Sequence, residues 1–219
     1  MSKQVWKGGA LLAPLPAALV TAGTPEASGV CTVAWTGIVN TKPPKTYISL
    51  RKSRYTYTLI EKTGEFVLHI TTAAQARAVD YCGMYTGRKV DKFAKCGFTK
   101  TAGTQVVAPV IAECPLALEC KVSSMQELGT HVLILADILA TDADEAIIDG
   151  SGKLCLDRVR LLAFAHGEYF ALGEKLGKFG FSAAKTKAPR AVGKAGAAAK
   201  AQGREKPRRG TGAAKQKKK

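Results

Sequence analysis

Two guanidinium groups and two hydroxyls fall within one short stretch of the chain, Arg51-Lys52-Ser53-Arg54-Tyr55-Thr56. The run before it, Thr46 to Leu50, has strand character. The run after it, through Tyr57, Leu59 and Ile60 to a stop at Gly64, reads as a helix with Ser53 as its N-cap. A strand handing over to a helix here gathers Arg51, Ser53, Arg54 and Thr56 around N–H groups that have no intrahelical acceptor. Such a donor set suits a terminal phosphate, which takes charge-assisted hydrogen bonds. The same residues would also serve as a basic surface strand followed by a capped helix.

Two other segments carry possible chemistry. In Thr32-Val33-Ala34-Trp35-Thr36-Gly37, alternation puts Thr32, Ala34 and Thr36 on one face and Val33 and Trp35 on the other. The small face would let a flat ring approach the backbone amides, or Trp35 would simply anchor a core strand. Gly83 to Phe93 is a glycine-bearing loop with Arg88, Lys89 and Lys92, able to close over an anion or to stand as a solvated turn. Neither a Walker spacing nor a dinucleotide glycine fingerprint is present. Of the three histidines, His69 reads as a packed residue in an apolar strand, and His131 has no metal-ligand spacing around it. His166, leaving a strand beside Gly167, is the best catalytic candidate. With no nucleophile elbow and no metal constellation, any redox chemistry must come from a bound cofactor.

The elements that must position these residues are mostly strands: 17–22, Val30 to Val39, Thr46 to Leu50, Glu65 to Thr71, Val106 to Ile111, Leu116 to Leu128, His131 to Thr141 and Leu161 to Ala165. Lys42-Pro43-Pro44-Lys45 forces an extended turn, and Asp149-Gly150 marks a tight one. Short helices fit Ala73 to Cys82 after Thr72, and Asp91 to Cys96 before Gly97. Without regular crossover helices between the strands, a closed or partly closed antiparallel barrel is expected rather than a doubly wound sheet.

The formal net charge of +16 is concentrated at the end: Ala183 to Lys219 holds thirteen Lys or Arg and one acid, leaving +4 for the first 182 residues. From Lys185 large apolar residues almost vanish, the composition of a disordered basic tail. The chain therefore divides into a folded part, 1–182, and a tail, 183–219. The six cysteines sit mostly in apolar runs and lack paired spacing, so free thiols of a reducing, cytoplasmic setting are expected. Pro14 and Pro16 interrupt the apolar stretch after Lys7, which argues against a leader, and no segment reaches transmembrane length.

Taken in order, several stretches resemble the flavin reductase-like, FMN-binding split β-barrel family, and within it the flavoredoxin-type branch. They are Leu12 to Val20, Thr32 to Gly37, Tyr47 to Tyr57, Thr63 to Val67, Tyr81-Cys82-Gly83, Gly87 to Phe93, His166 to Tyr169 and Leu172 to Phe181. The resemblance implies a six-stranded Greek-key barrel and a homodimer with flavin near the subunit interface. It implies that Thr32, Val33, Ala34, Trp35 and Thr36 lie along the isoalloxazine, and that Arg51, Ser53, Arg54, Tyr55 and Thr56 lie near the ribityl phosphate. Gly87, Arg88, Lys92 and His166 would flank the ligand. The function implied is an FMN-dependent oxidoreductase, either an NAD(P)H-dependent flavin reductase or a flavoredoxin-like carrier passing electrons to a small-molecule or protein acceptor. The alternative is a nucleic-acid-associated protein acting through the basic tail. In three places the sequence departs from the branch: before Thr32, where Asn is usual, the run is Ser28-Gly29-Val30-Cys31; His69 stands where Asn is common; and Gly8 replaces a customary proline.

Overall fold

The computed structural model describes residues 1–183. The compact unit is Met1–Leu176, and the expected basic tail lies outside the described residues.

Among the described residues twelve strands and three α-helices succeed one another: β1 Leu15–Pro16, β2 Ala18–Gly23, β3 Ser28–Val33, β4 Thr36–Thr41, β5 Pro44–Leu50, α1 Tyr55–Thr63, β6 Glu65–Ile70, α2 Ala76–Met84, α3 Lys92–Cys96, β7 Lys100–Thr101, β8 Val110–Ile111, β9 Leu116–Glu127, β10 Val132–Ala143, β11 Leu162–Ala165 and β12 Glu168–Ala171. Seven of the strands form one antiparallel sheet in the order β3-β2-β6-β9-β10-β5-β4. Its two edge strands, β3 and β4, are consecutive in the chain and joined only by Ala34 and Trp35. A flat sheet of this width would hold its edges about 30 Å apart. Two linking residues reach at most about 11 Å. The sheet must therefore curl into a barrel, open where β3 meets β4.

Alternation fills the barrel. Ala18, Val20 and Ala22 of β2, Phe66 and Leu68 of β6, and Val132, Ile134 and Ala136 of β10 face its interior with Tyr57, Leu59 and Ile60 of α1. The opposite face of β2–β3, through Leu19 and Val30, packs on Val79 and Cys82 of α2 and on Phe93 of α3. α1 stops at Gly64, which takes the left-handed conformation (φ 69°) expected of a glycine C-cap. Thr72 starts the second helical segment with a capping box to Gln75, and Asp91 caps α3 by accepting from the Ala94 amide. No helix of the described residues is long and apolar enough to cross a membrane.

Five expectations need correction. The single strand expected over Val30 to Val39 is two, because after Val33 the chain leaves β2 and pairs instead with β5. The strand expected from Thr46 already begins at Pro44, which pairs with Thr41, so the expected turn over 42–45 is only the two residues Lys42-Pro43 of a tight hairpin. A proline is tolerated as the first residue of a strand. Ser53 is not the cap of α1; Arg54 occupies that position, with no side-chain cap bond. Only Val110 and Ile111 of the expected 106–111 strand pair with another strand. The amides of Val106 and Val107 are taken instead by the carboxylates of Glu119 and Glu65. Finally, the expected strands end with Leu161 to Ala165, yet one more follows: β12 folds back on β11 through His166 and Gly167, both at positive φ (48° and 89°). That pair of angles is what a two-residue hairpin requires.

Candidate functional site

The handover from β5 to α1 builds a pocket of about 160 Å³. Arg51, Ser53, Arg54, Tyr55 and Thr56 form one side, Cys31 of β3 and Lys92 the floor, and Met84 to Gly87 the other side. The N–H groups of Tyr55 and Thr56 belong to the first turn of α1, where the helix supplies no acceptor. Arg54 is half-buried and donates from Nη1 to the Gly83 carbonyl (2.6 Å), which fixes the guanidinium at the pocket wall. Lys92 is buried, and its ammonium donates to the carbonyls of Val30 (2.8 Å) and Cys82 (2.7 Å). Burial pulls its pKa down, with Arg54 adding to the effect against the nearby cysteines. No carboxylate lines this pocket, and among the described residues no ion pair involves Arg51, Arg54 or Lys92. Among the described residues, three cations thus face one small cavity without a counter-ion.

A second groove, of about 430 Å³, shares Arg51 and Arg54 with the first. Thr32, Val33, Ala34 and Trp35 line it together with Ser49, Leu50, His131 and Phe164. The break between β3 and β4 opens it. Trp35 at that corner does not follow Val33 into the barrel core; it is 40% exposed and its ring lies 4.5 Å from that of His131. The packing-anchor reading of Trp35 therefore fails. Burial and the Arg51 charge both hold the pKa of His131 below the ordinary imidazole range, so His131 stands as a neutral ring beside Trp35 at neutral pH.

The other expected site residues divide. Thr32 sits at the groove, but its hydroxyl donates to the Val79 carbonyl and so ties β3 to α2. Thr36 is buried, gives its hydroxyl to the Tyr47 carbonyl (2.5 Å) and does not line the groove. Gly87 lies against Tyr55, and Arg88 stacks over the same ring, 5.3 Å from its centroid. Arg88, Lys89 and Lys92 also line a neighbouring cavity of about 420 Å³ beyond Tyr55. His166 is exposed at the tip of the β11–β12 hairpin and lines neither the pocket nor the groove, although Phe164 of the same hairpin reaches the groove. His131 and Ser49 are the residues the sequence did not reveal. Leu50 pairs with Val132, which sets His131 beside Arg51; nothing in the spacing of the chain announces that register.

Gly87 is held to glycine by contact. A Cβ there would sit 2.8 Å from Cδ1 of Tyr55. Gly87→Ala is expected to displace the Tyr55 ring and the Arg88 stacked on it, costing about 1–2 kcal/mol of stability. A urea titration of the purified variant measures this; an unchanged midpoint would mean the ring moves without cost.

A barrel closed by a two-residue corner, with a cation-lined pocket beside it at a strand-to-helix junction, is a split β-barrel. The Flavin reductase like domain matches residues 11–173. The chain belongs to the flavin reductase-like family, in its flavoredoxin branch. It is 35% identical to the solved flavoredoxin of Desulfovibrio vulgaris (Miyazaki F), at a TM-score of 0.77 over 84% of this chain and 100% of that one. Flavoredoxin from Methanosarcina acetivorans is 27% identical, at a TM-score of 0.75 over 83% of this chain and 100% of that one. An uncharacterized protein of Archaeoglobus fulgidus is 33% identical over 139 residues, 64% of this chain and 78% of the relative. In fold alone, an FMN-binding protein from Thermus thermophilus also matches, at 22% identity and a TM-score of 0.69 over 81% of this chain and 99% of that one.

Proposed function

We propose that this chain binds flavin mononucleotide, with the phosphate in the β5–α1 pocket and the ring along the Thr32–Trp35 groove, and acts as an FMN-dependent oxidoreductase. The observation that carries this reading is the pocket itself: Arg51, Arg54 and buried Lys92 converge on about 160 Å³ that no carboxylate lines. A phosphate would supply the missing negative charge and accept from Ser53, Thr56 and the first amides of α1. The shared arginines join this pocket to a larger groove, the arrangement a ligand with an anionic end and a flat end requires.

The bound flavin would supply hydride and electron transfer. The chain's own residues bind and orient: Arg54, braced on Gly83, fixes the anionic end, and Trp35 with His131 forms the wall of the groove. NAD(P)H is the proposed electron donor, and a second flavin or another small-molecule or protein acceptor takes the electrons. A homodimer is also proposed, supported by exposed Val5, Trp6, Leu11 and Leu12 before β1 and exposed Ile38 and Val39 on β4. Six free thiols support a cytoplasmic setting. The nucleic-acid reading rests on residues outside those described, and no observation favours it.

Titration of the purified protein with FMN and with riboflavin tests the phosphate assignment. FMN is expected to bind at least tenfold more tightly than riboflavin. Arg54→Met is expected to weaken FMN about 10- to 100-fold, the loss of one charged hydrogen bond at roughly 1.5–3 kcal/mol, while leaving riboflavin nearly unchanged. Equal affinity for the two flavins, insensitive to Arg54, would overturn the assignment. Bleaching of the bound flavin by NADH or NADPH would support a reductase, and its absence a carrier reduced by another protein.

A further inference from the structure

Behind the phosphate pocket two thiols that the proposed flavin chemistry does not use face each other. Cys82 is buried in the last turn of α2, and Cys96 is half-buried at the end of α3; their Sγ atoms are 3.8 Å apart. A disulfide bond is about 2.05 Å long, so the two helices need to close by less than about 2 Å. The connection between them, Tyr85 to Asp91, is not regular secondary structure and is mostly exposed, which gives it room to adjust. Access to the two sulfurs differs. Cys96 borders an open groove of about 580 Å³ lined also by Ala78, Tyr81, Tyr85 and Lys95, whereas Cys82 lies beneath. Burial and the neighbouring Cys96 push the Cys82 thiol far above the ordinary range, so it is not the sulfur that meets a solvent oxidant first.

We propose that Cys82 and Cys96 are a redox modification site, a reversible disulfide whose closure weakens ligand binding in the adjoining phosphate pocket. The oxidant is a hydroperoxide, which reduced flavins generate with dioxygen. The Cys96 thiolate attacks one oxygen of hydrogen peroxide; the O–O bond breaks, Cys96 becomes the sulfenic acid, and the departing hydroxide takes up the proton the thiol released and leaves as water. The Cys82 sulfur then attacks the sulfenic sulfur, the S–O bond breaks, and the hydroxyl leaves as a second water with the Cys82 proton. Two electrons pass from the sulfur pair to the peroxide, and an external dithiol returns them by exchange.

Coupling to the pocket runs through two carbonyls. Cys82 itself accepts from Lys92, and the next residue, Gly83, accepts from Arg54. Both cations line the phosphate pocket. Drawing Cys82 toward α3 shifts the two acceptors that aim them. This coupling rests on the flavin reading above; the disulfide does not.

The test uses the full chain, reduced, freed of FMN, exposed to hydrogen peroxide, blocked with N-ethylmaleimide and digested with trypsin. The expected product is a linked pair of peptides, residues 78–88 with 96–100, lost on adding dithiothreitol and absent from Cys96→Ser and Cys96→Ala. Cys96 recovered as a sulfinic acid, or linked to another cysteine, would overturn the site. In parallel, the oxidised protein is expected to bind FMN about tenfold more weakly than the reduced one, with no such change in Cys96→Ser. A linked pair with unchanged FMN affinity would overturn the coupling. A linked pair in a protein that binds no FMN even when reduced would overturn the flavin reading and the coupling with it, leaving the disulfide established.

Discussion

Replacing Glu119 by alanine is expected to cost about 3–5 kcal/mol of folding stability, a large fraction of what a domain of this size possesses. Glu119 lies on β9, fully buried, and its carboxylate is the acceptor for a whole loop. Oε1 accepts from the Thr104 amide and hydroxyl (both 2.8 Å), and Oε2 from the amides of Gln105 (2.6 Å) and Val106 (3.0 Å). Burial alone would raise its pKa; the bonds from Thr104, Gln105 and Val106 outweigh that and hold the carboxyl below the ordinary range. Alanine leaves three amides without an acceptor inside the protein. Glutamine keeps one acceptor oxygen but turns an NH₂ toward amide donors, so an intermediate loss of about 1–3 kcal/mol is expected. Because the folded pKa is depressed, this contribution is present above the unfolded value of 4.5 and lost as the pH falls through the folded one. Urea unfolding of the wild type and both variants at neutral pH measures the losses. A Glu119→Ala midpoint within error of wild type would show that solvent, not the carboxylate, holds the loop.

The same loop shows where sequence reasoning stopped. Val106 to Ile111 has the β-branched content of a strand, yet its first amides are claimed by Glu119 and Glu65, which lie 13 and 42 residues away in the chain. A side chain that replaces a ladder from such a distance leaves no local trace. The strands that did read correctly, β2, β6, β9 and β10, alternate between the barrel core and a second surface, and that period is printed in the chain. The corner at Ala34 was missed because Thr32 to Val39 keeps strand character on both sides of it; only the change of partner from β2 to β5 breaks it. The convergence of Arg51, Ser53, Arg54 and Thr56 on one pocket was legible because they are contiguous, so a strand and a helix suffice to gather them. His131, Ser49 and the Cys82–Cys96 approach depend on register and on helix packing between separate elements. His69 lies between these cases: its apolar neighbours marked it as packed, but not what it bonds.

His69 is expected to give the fold a pH dependence of its own. It is fully buried; its Nε2 accepts from the Ile111 amide (2.9 Å) and its Nδ1 faces the Leu19 carbonyl (3.3 Å). That pair of partners demands the neutral ring with the proton on Nδ1, since a protonated Nε2 would point a donor at a donor. Burial is the largest influence and lowers the folded pKa from 6.5 to about 4, against the opposing pull of the Leu19 and Val67 carbonyls. With the folded pKa depressed, the contribution is complete above pH 6.5 and is lost as the pH falls from 6.5 toward 4. The loss across that window amounts to about 3 kcal/mol. Depressed carboxyls such as Glu119 release their share only below 4.5, so the two effects separate on the pH axis. His69→Leu is expected to be about 1–3 kcal/mol less stable than wild type near pH 8, because the Ile111 amide loses its acceptor. Between pH 6.5 and 4.5, however, the variant should hold nearly constant stability while the wild type declines and the gap narrows or closes. Parallel declines in the two proteins would place the titrating group elsewhere. The burial that makes His69 a poor ligand thus makes it an acid-sensitive joint between the barrel strands β2 and β6 and the short strand β8 outside the barrel sheet.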